Sequence, residues 1–213
     1  MPKFDLRKHK IMKKIFIVAL PVLAIAVMAL KPIGDPLPLG SPIPSPEIKM
    51  KDISGKEVSF KDAQKKNGLL VMFSCNTCPV VKRYQSRTLE VCKSAMDNNV
   101  GVVLLNSNEA TRDDGDSYND MKDYAKEQKY NFNYVLDKNS VMADAFGANR
   151  TPEVFLFNNE GKLVYHGAID DNSNDAGLVT RKHAMVAIAE LVNGKDISVK
   201  ESKSVGCGIK RLK

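Results

Sequence analysis

The sequence predicts an α/β fold, a mixed central sheet with helices on both faces and an N-terminal hairpin extension. Three observations carry that expectation. Two apolar runs, Leu69–Phe73 and Val100–Leu105, are continuous rather than alternating, which suits strands buried on both faces of a sheet. A helical stretch follows each of them, as parallel strand–helix units require. A hairpin signature, Glu153–Phe157 and Lys162–Gly167 around Asn158-Asn159-Glu160-Gly161, then adds antiparallel strands before a closing helix over 180–192.

The remaining elements fall in order along the chain. Residues 1–30 read as an export signal or an uncleaved membrane anchor. A basic stretch ending in Lys13-Lys14 precedes an apolar run from Ile15 to Leu30, with Ala24-Ile25-Ala26 and Val27-Met28-Ala29 as cleavage sites. That run is shorter than the roughly 18–20 residues of a spanning helix. Residues 31–46 contain Pro32, Pro36, Pro38, Pro42, Pro44 and Pro46, a density that predicts an extended linker. The domain is expected over 47–198, with a C-terminal tail over 199–213. It opens on a short hairpin, Ile48–Met50 with Val58–Phe60 about Ser54-Gly55. A helix is predicted from the first buried strand's end to about Asp97, another over 118–128, a short strand over 134–136 and a short helix over 141–146 stopped by Gly147.

The net charge of +7, from 32 basic and 25 acidic side chains, resembles a nucleic-acid footprint only until it is located. Six basic residues and one acid lie in residues 1–30; the rest of the chain holds 26 basic against 24 acidic residues. The basicity belongs to the targeting segment, and no nucleic-acid partner is expected. Either reading of that segment puts the folded part outside the cytoplasm, in the periplasm or cell envelope, where disulfides persist.

Four cysteines carry the chemistry. Cys75-Asn76-Thr77-Cys78 follows a buried strand and opens a helix, whose free N–H groups and positive dipole end favour a thiolate at Cys75. Cys78, one turn on, is placed to resolve a mixed disulfide. Zinc needs a second ligand pair, but Cys92 and Cys207 lack that spacing and His9, His166 and His183 are scattered, so no metal is expected. The cofactor is then the redox-active Cys75–Cys78 disulfide itself. Asn76 and Thr77 are uncharged, which favours a reductant over a strong oxidant. Cys92 lies about 21 Å along the helix from Cys78 at about 1.5 Å per residue, beyond bridging reach, on one face with Val81, Tyr84 and Thr88. It reads as a core cysteine, while Cys207 is left two options, pairing with Cys92 or a free thiol. Asp170, Asp171 and Asn172 read as turn and cap chemistry, the Asp113, Asp114 and Asp116 stretch as a solvated loop, and His166 as a packing residue.

Phe73-Ser74-Cys75-Asn76-Thr77-Cys78-Pro79, Thr151-Pro152-Glu153-Val154-Phe155 and Gly167-Ala168-Ile169-Asp170-Asp171-Asn172 stand in an order that resembles thioredoxin-like redoxins of the alkyl-hydroperoxide-reductase/thiol-specific-antioxidant (AhpC/TSA) group. The resemblance covers most of 47–213, including Gly206-Cys207-Gly208-Ile209-Lys210. It implies a thioredoxin-like fold and a cis Thr151–Pro152 bond that bares the Thr151 backbone for pairing with a substrate. Thr151, Pro152, Asn76 and Thr77 are the substrate-binding candidates. Three departures stand out. Thr77 replaces a His common in relatives, Arg150 occupies a position where some carry a Cys, and Leu69 falls where thioredoxin has its buried acid.

The function expected is an extracytoplasmic thiol–disulfide oxidoreductase, with Cys75 as nucleophile and Cys78 resolving. Its partners would be cysteine-containing envelope proteins and an electron donor. A thiol peroxidase is the alternative, but the family pattern of a peroxidatic pocket is missing: Met72 and Gly68 stand where its Thr and Pro would precede Cys75. A redox-sensing module that captures a partner without turnover is the third reading.

Overall fold

A computed structural model of the protein describes Met1 and residues 34–212. Apart from Met1, the predicted signal or anchor and its cleavage sites fall outside the described residues. Among the described residues no helix is long and apolar enough to cross a membrane.

Among the described residues seven strands form one mixed sheet. They are β1 (Met50–Asp52), β2 (Glu57–Val58), β3 (Leu69–Ser74), β4 (Gly101–Asn106), β5 (Asn133–Leu136), β7 (Glu153–Phe157) and β8 (Leu163–Gly167), in the order β2-β1-β5-β4-β3-β7-β8. β3, β4 and β5 are parallel, while β1 and β7 run antiparallel to their neighbours. Two further strands, β6 (Arg150–Thr151) and β9 (Cys207–Gly208), pair separately.

β3 is buried along its whole length, so both of its faces meet core. Leu70 and Met72 point towards α2 (Pro79–Asp97), α3 (Tyr118–Glu127) and α5 (His183–Val192), with Tyr84, Met121 and Ile188. Leu69, Val71 and Phe73 point the other way, towards α1 (Phe60–Ala63) and α4 (Val141–Phe146). The period-two alternation of a strand thus feeds two hydrophobic layers.

Local signals fix the helix ends. Pro79 starts α2 at a position whose missing N–H has no helical partner. Ser117 and Asp120 form a capping box on α3. Gly147 ends α4 at φ 65°, and a Cβ there would lie 1.8 Å from the Asp35 carbonyl oxygen. Only glycine meets both demands. The predicted opening hairpin is shorter than expected, because Ser59 caps α1 through Asp62 and draws Phe60 into a helix.

The segment expected as a linker packs on the domain from Leu37 onward. Leu37 and Ile43 are buried in the second layer, and their N–H groups donate to Phe146 O at 2.9 Å and Gly161 O at 3.0 Å. Its prolines forbid regular pairing, but the residues between them keep N–H groups and apolar side chains with which to dock. The C-terminal tail also packs. Both segments run beside β8, the outer strand of the sheet: Gly40 N donates to Leu163 O and Leu163 N to Ser41 O, while His166 N donates to Lys200 O and Ser202 N to His166 O.

Candidate active site

The carboxyl ends of parallel β3 and β4 lie side by side, with Ser74 opposite Asn106. Open α/β sheets place their ligand-binding groups at such ends. Here β3 delivers Cys75, and Cys78 caps α2 in an extended conformation. Across from them, the Thr151–Pro152 peptide bond is cis. Cys75 Sγ and Thr151 Oγ1 are hydrogen-bonded at 3.3 Å, and Cys78 Sγ lies 3.5 Å from the Thr151 carbonyl oxygen.

The disulfide present is not the one read from the spacing. Cys78 is bonded to Cys207, with Cα atoms 6.0 Å apart, and Cys75 is a free thiol. Neither option read for Cys207 holds. Cys92 is a free thiol in the core beside Tyr84 and Val91, where it was expected. The bridge follows from the tail's path, because β9 pairs antiparallel with β6 and sets Cys207 directly opposite Thr151. A Cβ on Gly206 would approach the Thr151 carbonyl oxygen to 2.0 Å, so the residue before Cys207 must be glycine for this approach. The backbone expected to be bare is therefore occupied by the chain's own tail.

Cys75 is itself fully buried, and this governs its electrostatics. Burial pushes its thiol above the ordinary value, and the negative charge of Asp116 adds to the effect. The Thr151 hydroxyl and the N–H groups of Cys78 and Thr77 pull the other way. The thiolate expected at a helix start is thus disfavoured in this closed arrangement, since burial outweighs the dipole and its hydrogen bonds.

Asn76 and Thr77 differ in what they offer a substrate. Asn76 is buried: its Nδ2 donates to Gly115 O at 2.9 Å, and its Oδ1 accepts from Tyr134 OH at 2.8 Å. It supports the loop from within and presents little surface. Thr77 is exposed, although its hydroxyl donates inward to Asp116 Oδ2 at 2.9 Å.

Asp116 is a residue the sequence reading placed wrongly. It is fully buried and accepts five hydrogen bonds, from Asn76 N, Thr77 Oγ1, Asn106 Nδ2, Asn108 Nδ2 and Thr111 Oγ1. The loop of Asp113 and Asp114 is solvent-facing, but its last acid is the hub under the cysteine motif. A signal existed: Asn106, Ser107 and Asn108 follow a wholly apolar strand, and such polar groups at a buried strand end need a shared partner. Asp170 is likewise more than a turn former. Its carboxylate is buried, pairs with Arg87 Nη1 at 2.7 Å and accepts from Tyr84 OH at 2.9 Å. His166 stacks on Phe155, as a packing residue should, and its Nε2 is also 2.7 Å from Glu153 Oε1. Glu153 Oε2 accepts from the N–H groups of Asn149 and Arg150, which braces the cis-proline loop from behind. Among the described residues no cluster of three or more His, Cys, Asp or Glu could hold a metal.

Residues 40–166 match the AhpC/TSA family. The chain belongs to that family. Among curated relatives, this AhpC/TSA protein is similar to the thiol-disulfide oxidoreductase ResA of Bacillus subtilis, 27% identical over 120 residues. That match spans 56% of the chain and 63% of ResA, less than two thirds of the relative's length. A crystal structure of an uncharacterized conserved protein from Geobacillus kaustophilus is 32% identical with a TM-score of 0.76, covering 82% of this chain and 93% of that one. The thioredoxin domain of a thiol-disulfide oxidoreductase from Bacteroides vulgatus, 24% identical, covers 61% of this chain and 88% of that one at a TM-score of 0.51, and shows the thioredoxin-like fold.

Proposed function

We propose that this AhpC/TSA protein is an exported thiol–disulfide oxidoreductase that reduces disulfides of envelope proteins, with Cys75 as nucleophile and Cys78 as resolving thiol. The observation that carries the reading is the placement of Cys75 at a strand-to-helix junction, 3.3 Å from the hydroxyl of Thr151 on the cis-proline loop. The name of its relative ResA points to the same activity.

In the reaction, the Cys75 thiolate attacks one sulfur of a substrate disulfide. A Cys75–substrate bond forms, the substrate bond breaks and one substrate thiolate leaves. Cys78 then attacks Cys75 Sγ, closing Cys75–Cys78 and releasing the second thiolate. The substrate has gained two electrons and, from water, two protons; the enzyme has lost two electrons and needs a dithiol donor. Thr151, through its hydroxyl and its backbone, would steady the reacting sulfurs and pair with the substrate strand once the short Cys207–Gly208 stretch lifts from β6. Thr77, exposed beside them, would border that strand.

A single-turnover assay tests this reading. Fully reduced full-length protein, freed of reductant, is mixed with insulin, and cleavage of the insulin interchain disulfides is followed. Cleavage that disappears in Cys75→Ser is the expected result; no cleavage by the wild type, or native-rate cleavage by the variant, overturns it. Glutathione titration then fixes direction, since a potential below roughly −200 mV marks a reductant and one near −120 mV an oxidant.

A further inference from the structure

We propose that Cys207 is a third catalytic cysteine of this site, the outward sulfur through which an external dithiol delivers reducing equivalents to the buried Cys75–Cys78 pair. The proposal rests on the oxidoreductase reading and deepens it.

Its first support is the difference in access. Cys75 and Cys78 are 0% and 3% exposed, whereas Cys207, bonded to Cys78, is only partly buried. Of the two residues in the bridge, Cys207 is the one with more surface to offer a donor thiol.

The second support is the way the tail is held. Contacts other than the disulfide flank Cys207 on both sides. Before it, Ser202 Oγ accepts from Ala168 N at 2.9 Å and Ser202 N donates to His166 O at 3.0 Å. After it, Ile209 is buried in the core and its N–H donates to Asn149 O at 3.1 Å, while Lys210 N donates to Asn108 Oδ1 at 2.9 Å. Opening the bridge therefore leaves the Cys207 thiol tethered beside the site at high effective concentration. The third support is Cys78 itself, which is bonded to Cys207 and shares one small buried cluster with Cys75.

The steps balance without any further oxidant. After substrate reduction has closed Cys75–Cys78, the Cys207 thiolate attacks Cys78 Sγ. The Cys78–Cys207 bond forms, the Cys75–Cys78 bond breaks, and Cys75 leaves as a thiolate that takes up a proton. This product is the state the structure holds. A donor thiolate next attacks Cys207 Sγ, forming a donor–Cys207 bond and expelling Cys78 as a thiolate. The donor's second thiol attacks the donor sulfur of that bond and releases Cys207. The donor is oxidised to its disulfide, and its two electrons now rest on Cys78 and Cys207.

One mapping experiment on the full chain tests the proposal. Protein oxidised by its own reaction with insulin is alkylated under denaturing conditions and digested. The expected result is a cross-linked peptide pair joining Cys78 to Cys207, with the alkyl label on Cys75. A second aliquot is exposed briefly to reduced glutathione before alkylation, and the glutathione adduct is expected on Cys207. Cys207→Ser is expected to lose the Cys78–Cys207 linkage, to carry Cys75–Cys78 in its place, and to be reduced by glutathione more slowly than the wild type. A Cys75–Cys78 linkage with labelled Cys207 in the wild type, or an adduct confined to Cys75 or Cys78, overturns the proposal. Those results leave insulin cleavage by the reduced wild type intact. A failure of the oxidoreductase reading shows instead as no insulin cleavage at all.

Discussion

Cys75 and Cys92 are both free thiols with no exposed surface, and burial raises the pKa of each, yet they occupy different environments. For Cys92 burial is the sole cause of the shift, and its neighbours are apolar side chains of the α2-facing layer. Cys75 meets a hydroxyl and two helix-start N–H groups that favour its ionised form. Inaccessibility alone thus says little about a cysteine's role. What separates the two is whether donors stand ready for the charge when the cover is removed.

The largest expected break in this comparison is in activity. Cys75→Ser abolishes insulin cleavage, whereas Cys92→Ser retains it, as parallel single-turnover assays would report. Next in size is the loss of the hub beneath the motif. Asp116→Ala takes the acceptor from the buried donors of Asn76, Asn106 and Asn108 and is expected to cost at least about 3 kcal/mol in a denaturant titration, since buried groups left without partners cost ~1–3 kcal/mol each. Cys92→Ser follows: a hydroxyl without a partner in the core is expected to cost ~1–3 kcal/mol. At about 2–4 °C per kcal/mol for a chain of this size, that is a fall in Tm of several degrees.

The smallest effects are on titration. Asp116→Asn removes a negative charge that raises the Cys75 pKa, so alkylation of Cys75 moves to lower pH while that of Cys92 does not respond. The same raised pKa sets a sign for stability. The protonated thiol is favoured in the folded state, so its contribution is complete below the unfolded thiol's value of about 8.5 and is lost as pH rises beyond it. Unfolding free energies measured from pH 7 to 10 should decline, and Cys75→Ser should flatten part of that decline.

Most of the scaffold was legible in the sequence because it is written in local patterns. Leu69–Phe73 and Val100–Leu105 declare buried strands, and Gly147 and Pro79 mark helix ends at their own positions. The cysteine motif was legible for the same reason. The tail was not, because the Cys78–Cys207 bond spans 129 residues and depends on where β6 falls in three dimensions. Asp116 was misread on similar grounds, and Asp170, which does accept from Asn172 N as a turn residue, was read only in part. Each belongs to a loop whose composition suits solvent, and partners distant in sequence, such as Thr77 for one and Arg87 for the other, help to make it an interior residue.

The docking of residues 40–43 and 200–202 along β8 also bears on self-association. An outermost strand with free N–H and C=O groups is a template for another chain's strand, and a long one invites aggregation. In this protein the two flanking segments take up opposite ends of that template, the first around Leu163 and the second around His166. They act as selvedges on a woven cloth, finishing a border that would otherwise unravel into its neighbours. Trimming either one for convenience of expression would remove that finish and expose half of the border to intermolecular pairing.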